Sequence, residues 1–162
     1  MNQESQQKAV NALLIEYKNV VIALKDTINT VTCHTLTTTV GVRTNDPDYQ
    51  SIQTILTHII SSGYAYIGYI RKLKKSNDDR PGKMIRMTVD EFQLDLDRLV
   101  DYVYTTFLKI QDDELEEFDE DKKIITSWGQ VYDIEQMMEH AIVHVLKNRR
   151  LIEKFRRKLE SL

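Results

Sequence analysis

Val10, Leu13, Tyr17, Val21, Leu24, Ile28 and Val31 recur by alternating steps of three and four residues. That rhythm puts them along one side of an α-helix, which turns once every ~3.6 residues. The spacing predicts a first helix over residues 4–31 with one apolar seam, the pattern of a helix facing a shared interior. A second seam, Ile52, Ile55, Leu56, Ile59, Tyr66, Ile70 and Leu73, predicts a helix over 49–75, with Gly63 allowing a neighbouring helix to approach closely. Val89, Phe92, Leu96, Leu99, Val103, Phe107 and Ile110 define a third, opened by Thr88 and Glu91 at the N-cap and N3 spacing of a capping box. Asp133 and Gln136 repeat that signal ahead of a fourth seam, Ile134, Met138, Ala141, Val145, Ile152, Phe155 and Leu159.

The intervening segments break the rhythm. CHTLTTTVGVRTNDPDYQ is rich in threonine and closes on Asn45, Asp46 and Pro47, so β-branching and turn chemistry argue for a connection. SNDDRPGK is a second breaker, and a long acidic connection runs to Tyr132. No segment alternates convincingly as a strand. The expected fold is therefore all-α, a four-helix bundle forming a single domain over 1–162. The connections exceed ten residues, so the directions of neighbouring helices do not follow from their length.

Length and charge narrow the picture further. A chain of 162 residues buries one core without covalent staples, and its single cysteine, Cys33, can form no intramolecular disulfide. No apolar run approaches the ~20 residues that span a bilayer, and the polar start MNQESQQKAV lacks a signal-peptide core. The expectation is a cytoplasmic protein with no membrane partner. A net charge of -3 gives no general electrostatic case for nucleic acid. Eight acidic residues stand between Asp112 and Asp121 and seven basic ones between Lys147 and Lys158. Both blocks read as solvated faces, the basic one complementing the C-terminal dipole of its own helix.

Candidate chemistry centres on three histidines. His140 and His144 lie one turn apart on a shoulder of the fourth seam, in the row Asp133, Met137, His140, His144, Asn148. His58 lies on a shoulder of the second seam and reaches them if the second and fourth helices are neighbours. Neutral imidazole is the commonest metal ligand, and three of them leave open positions of the catalytic kind. On the residues alone two other readings stay open: a surface pair that falls four apart, and a core-edge imidazole at His58.

SIQTILTHIISSGYAYIGYIRK, followed after about seventy residues by SWGQVYDIEQMMEHAIVHVLKNRRLI, resembles the DinB-like (damage-inducible, YfiT-type) superfamily. The resemblance spans nearly the whole chain and includes Trp128 and Gly129 ahead of the last helix. It implies a bundle of up-down-down-up order that binds a divalent metal, zinc or nickel, through His58, His140 and His144, and a homodimer. Asn148, Arg149 and Arg150 stand where several characterised relatives continue with a third histidine and Arg-x-Gln. The activities implied are S-transfer or isomerisation with a low-molecular-weight thiol such as bacillithiol or mycothiol as cosubstrate and a small molecule as ligand. A metal-activated water would instead give a hydrolase, and a closed ligand set a non-catalytic, structural or metal-reporting protein.

No side-chain nucleophile is needed for such chemistry. Cys33 beside His34 sits in a threonine-rich connection and reads as incidental. Asp133 reads as an N-cap and Glu139 as a solvated neighbour, although either could orient a ligand histidine through its second nitrogen. Tyr64, Tyr66 and Tyr69 line a pocket or fill the core, Trp128 covers the crevice or anchors its connection, and Met137 and Met138 pack. Tyr64 and Ile60 lie off the seam centre and are expected to be exposed, which supports a second copy as partner.

Overall fold

The structure, a computed structural model, describes residues 7–40 and 45–161. It is all-α but for one minor sheet. The helices are α1 (Lys8–Ile28), α2 (Cys33–Thr37), α3 (Ile52–Leu73), α4 (Val89–Phe107) and α5 (Ile134–Glu160). The two strands, β1 (Ile124–Ile125) and β2 (Val131–Tyr132), pair antiparallel, Ile124 opposite Tyr132.

The boundaries follow local chemistry. Thr88 Oγ1 accepts from Glu91 N while the Glu91 carboxylate accepts from Thr88 N, and Asp133 and Gln136 make the same reciprocal pair at the start of α5. Helix α3 begins at Ile52 rather than 49, because Ser51 and Thr54 form a third capping box there. Residues Pro47–Tyr49 form a separate 3-10 turn, capped by the Asp46 side chain accepting from Asp48 N. The first helix stops at Ile28, short of the predicted 31, where its last turn tightens into bonds from Asn29 N to the Asp26 carbonyl and from Val31 N to the Ile28 carbonyl. Its predicted start at 4 lies outside the described residues.

Two predicted connections carry structure of their own. The threonine-rich segment holds α2: Thr32 caps it by accepting from Thr35 N, and Leu36 buries completely. The acidic connection ends in the β1–β2 hairpin, whose turn needs Gly129 at φ +86°, a left-handed value that a side chain would strain.

Helix α1 packs on α4 and α5, and so does α3. Tyr17, Ile55, Ile59, Phe92, Leu99, Met138 and Ile152 are fully buried among them. At Gly63 α3 and α4 approach closely, since a Cβ there would lie 2.7 Å from Leu99 Cδ2. At the other ends, Arg71 of α3 donates to Thr106 of α4, and Arg156 of α5 to the Thr27 carbonyl of α1.

Arg156 therefore does more than sit on a solvated face, and the same holds in the acidic block. Asp112 accepts from Val10 N at 2.9 Å and Ala9 N at 3.1 Å, capping α1 from a distant part of the chain, and Glu114 pairs with Lys74. Tyr64 also departs from expectation. It is 6% exposed and packs edge-on against Tyr102 of α4, which removes it as a mark of a docking surface, and Ile60 is half-buried. No helix among the described residues is long and apolar enough to cross a membrane.

Candidate metal centre

His58 stands in the second turn of α3, and His144 in the third turn of α5, the helix packed beside it. Their Nε2 atoms face each other at 3.0 Å, with ring centroids 4.9 Å apart. The predicted adjacency of these two helices is thus present at the residues that required it. Two imidazoles bound side by side to one metal at ~2.0–2.1 Å hold their nitrogens about 2.9 Å apart at a right angle and about 3.3 Å apart in a tetrahedron. The observed separation falls between the two.

The 3-10 turn ahead of α3 folds back over the pair. Asp48 Oδ2 lies 3.1 Å from His58 Nδ1, and a carboxylate only accepts, so Nδ1 of the neutral ring carries the proton and Nε2 presents its lone pair. His144 Nε2 and the Tyr49 hydroxyl both lie within hydrogen-bond distance of that nitrogen, at 3.0 and 3.1 Å. Lys83 donates to the other oxygen of Asp48 at 2.8 Å. This hydrogen bond, against the opposing effect of burial, holds Asp48 below the usual carboxylate range, helped by the charge of Lys83 and by His58.

Burial sets the state of the other partner. It pushes His144 down to about 3, with the nearby His58, His140 and Lys147 charges acting in the same direction. His144 is therefore neutral at physiological pH.

No protein-family model and no curated protein matches the chain. The arrangement of the three histidines is asymmetric. His140 does not join the pair. Its Nδ1 lies 3.3 Å from the Tyr132 hydroxyl, and its ring stacks on Trp128 with centroids 5.4 Å apart and planes 24° from parallel. Tyr66 stands edge-on to both His140 and His144, at 4.9 and 5.4 Å. Among the described residues, no group of three or more histidine, cysteine, aspartate or glutamate side chains is arranged to hold a metal ion. Burial also lowers the pKa of His140.

Asp133 and Glu139 stand as read from the sequence, and the residue that supports a histidine lies elsewhere. Asp133 is buried and occupied as the N-cap of α5, and Glu139 is exposed. The orienting carboxylate is Asp48, and Tyr132 takes the corresponding place at His140. The sequence clue to Asp48 was Pro47, which starts the turn that brings a residue ten positions upstream onto the ring of His58. Of the three tyrosines, Tyr66 lines the site, Tyr64 fills the α3–α4 contact, and the Tyr69 hydroxyl accepts from Ser127 N, tying the hairpin to α3. Trp128 covers His140. Cys33 is exposed, and Met137 and Met138 are core residues.

Proposed function

We propose that the protein binds a divalent transition metal, zinc or nickel, through His58 and His144 with His140 as third donor, in keeping with its resemblance to the DinB-like superfamily. The observation that carries this reading is the 3.0 Å approach of the two Nε2 atoms across α3 and α5, with the His58 ring oriented by Asp48. A metal there would supply positive charge that lowers the pKa of a small thiol or a water placed beside it. The chain supplies the rest. Asp48 keeps the His58 proton on Nδ1, burial keeps His144 neutral, Tyr66 packs edge-on to His144, and Trp128 stacks on His140. The Tyr49 hydroxyl, beside His58 Nε2, is positioned to give or take a hydrogen bond at the reacting group. The activity we favour is transfer of a low-molecular-weight thiol to a small electrophile.

We extend the proposal to the fold, an up-down-down-up bundle of α1, α3, α4 and α5. It is supported by late-to-late contacts of Arg71 with Thr106 and of Arg156 with Thr27, and by the crossed order in which His58 meets His144 while Tyr66 meets His140.

A second reading has its own observation. With His140 held by Tyr132 and Trp128, a two-histidine site would staple α3 to α5 and catalyse nothing. Metal analysis of protein purified without an affinity tag separates these. Wild type should carry one zinc or nickel per chain, His144→Ala and His58→Ala none, and His34→Ala, altered at an exposed histidine, a full complement. Unchanged metal content in His144→Ala overturns the site. Loss of metal in His140→Ala supports the three-donor centre, and thiol transfer to a chlorinated aromatic acceptor by wild type but not by His140→Ala supports the enzyme. Metal retained in His140→Ala with no turnover in wild type selects the staple.

A further inference from the structure

The outward face of α5 changes character along its length. Glu135 and Glu139 stand one turn apart near its start, Val143 and Leu146 occupy the middle, and Arg150 and Lys154 follow. Glu139, Val143, Leu146 and Arg150 succeed one another by steps of four, three and four, the seam spacing by which one helix meets another. That seam lies open among the described residues: Val143 is 59% exposed, Glu139 and Arg150 are exposed, and Leu146 is half-buried. A groove of ≈ 470 Å³ runs beside it, with Tyr49 and Leu151 among its lining residues.

The charges at the two ends of the seam have no partner of opposite sign. Elsewhere on α5 the cations are paired, Arg149 with Glu153 and Arg156 with Glu160, whereas among the described residues Glu135, Glu139, Arg150 and Lys154 form no ion pair. The acidic end faces more acid. Burial, and then the charges of Glu116, Glu139 and Asp133, raise the pKa of Glu135. The Leu115 carbonyl accepts from Glu135 N, which fixes the acidic connection to the first turn of α5. An order of acid before base suits the dipole of the helix itself. The dipole does not account for a seam, nor for exposed valine and half-buried leucine at its middle.

We propose that this face pairs with the same face of a second copy of the chain, antiparallel, about a two-fold axis level with the peptide between His144 and Val145. Val143 then meets Leu146 of the second copy, Glu139 meets Arg150, and Glu135 lies level with Lys154, each contact being made twice by symmetry. The charges select this orientation, because a parallel pair would set glutamate against glutamate and arginine against arginine. The second α5 lies along the groove and beside Tyr49, whose hydroxyl is 3.1 Å from His58 Nε2. Pairing itself needs no metal. Glu135 and Lys154 are separated by ~28 Å of helix, which makes a small interface, and the dimer is accordingly weak, with a Kd on the order of 10–100 μM.

The test is sedimentation of the full, metal-free chain from about 5 μM to 1 mM, with charge reversals at the seam. Wild type should pass from monomer to dimer over that range, and added salt should weaken the dimer. Glu139→Arg and Arg150→Glu should each keep their helical circular dichroism and lose affinity about tenfold or more, since each sets like charges together twice. The double variant Glu139→Arg/Arg150→Glu should return to within about threefold of wild type. Within one chain these two residues are ~16 Å apart along the helix, so such a rescue reports a contact between copies. Lys18→Glu, an exposed reversal on α1, and His58→Ala should both dimerise as wild type does, so that this pairing and the metal reading can fail separately. A wild type that stays monomeric to about 1 mM, an assembly larger than a dimer, single reversals without effect, or a double variant as weak as the single ones overturns the proposal.

Discussion

Replacing Asp48 with alanine should weaken metal binding at the histidine pair while leaving the helices in place. Carboxylates that orient a ligand histidine are worth about 10–100-fold in metal affinity when removed. Asp48 Oδ2 accepts a hydrogen bond from His58 Nδ1 at 3.1 Å, longer than the ~2.7–2.9 Å of the strongest charge-assisted bonds. The loss therefore belongs at the low end of the range, about tenfold or ~1.4 kcal/mol. Asp48→Asn keeps an acceptor for the same proton and should lose only about threefold. Lys83→Met frees Asp48 to bond His58 alone and should change affinity by less than about twofold. The assay is competition for zinc with a colorimetric chelator, with a urea titration beside it. Asp48 and Lys83 are partly exposed, so their ion pair should contribute less than ~1 kcal/mol to stability. Wild-type affinity in Asp48→Ala, measured on a protein that does bind zinc, would refute the orienting role. A stability loss above ~2 kcal/mol would show that Asp48 holds the turn together instead.

Two further predictions concern the frame around the site. Tyr17 is fully buried, its hydroxyl has no partner, and burial raises its pKa far above the ordinary value, so Tyr17→Phe should stabilise the protein by ~1 kcal/mol. In a chain of this size that is about 2–4 °C in Tm; a loss of stability in urea would mean the hydroxyl is bonded after all. Asp112 caps α1, and its bonds from Val10 and Ala9 lower its pKa, the Val10 bond most. A carboxyl whose folded pKa lies below its unfolded value stabilises above that unfolded value, ~3.9, and ceases to do so as pH falls through the folded one. Wild type should therefore exceed Asp112→Ala in urea midpoint at neutral pH, and the gap should close as pH falls below the ordinary carboxylate range; a gap that widens with acid would contradict the cap.

Short-range chemistry was the legible part of this molecule. Thr88 with Glu91 and Asp133 with Gln136 announce helix starts because both partners of each cap lie within four residues, and the apolar seams announce the buried faces for the same reason. Gly63 was readable as a close approach, although not that Leu99 makes it. The hairpin was not readable, since strands of two residues carry no period. Tyr64 was misjudged from its position on the helix alone, because Tyr102, which covers it, belongs to a helix whose placement the seam does not specify. The histidines show both sides. Spacing put His144 on the side of α5 that meets His58, but the turn that brings Asp48 to His58, and the hairpin that brings Trp128 and Tyr132 to His140, depend on chain reversals outside the helices.

Trp128 has a practical consequence. It is the chain's single tryptophan, and its indole lies face to face with His140 while its edge is in contact range of Tyr66 and Tyr69. All the tryptophan emission of the protein therefore originates at the rim of the histidine crevice. Any event that draws His140 away from the indole alters the quenching of that emission, and one that leaves the histidine where it is does not. The molecule thus carries an optical gauge of where His140 stands, readable without a label, in the same cuvette in which zinc is added.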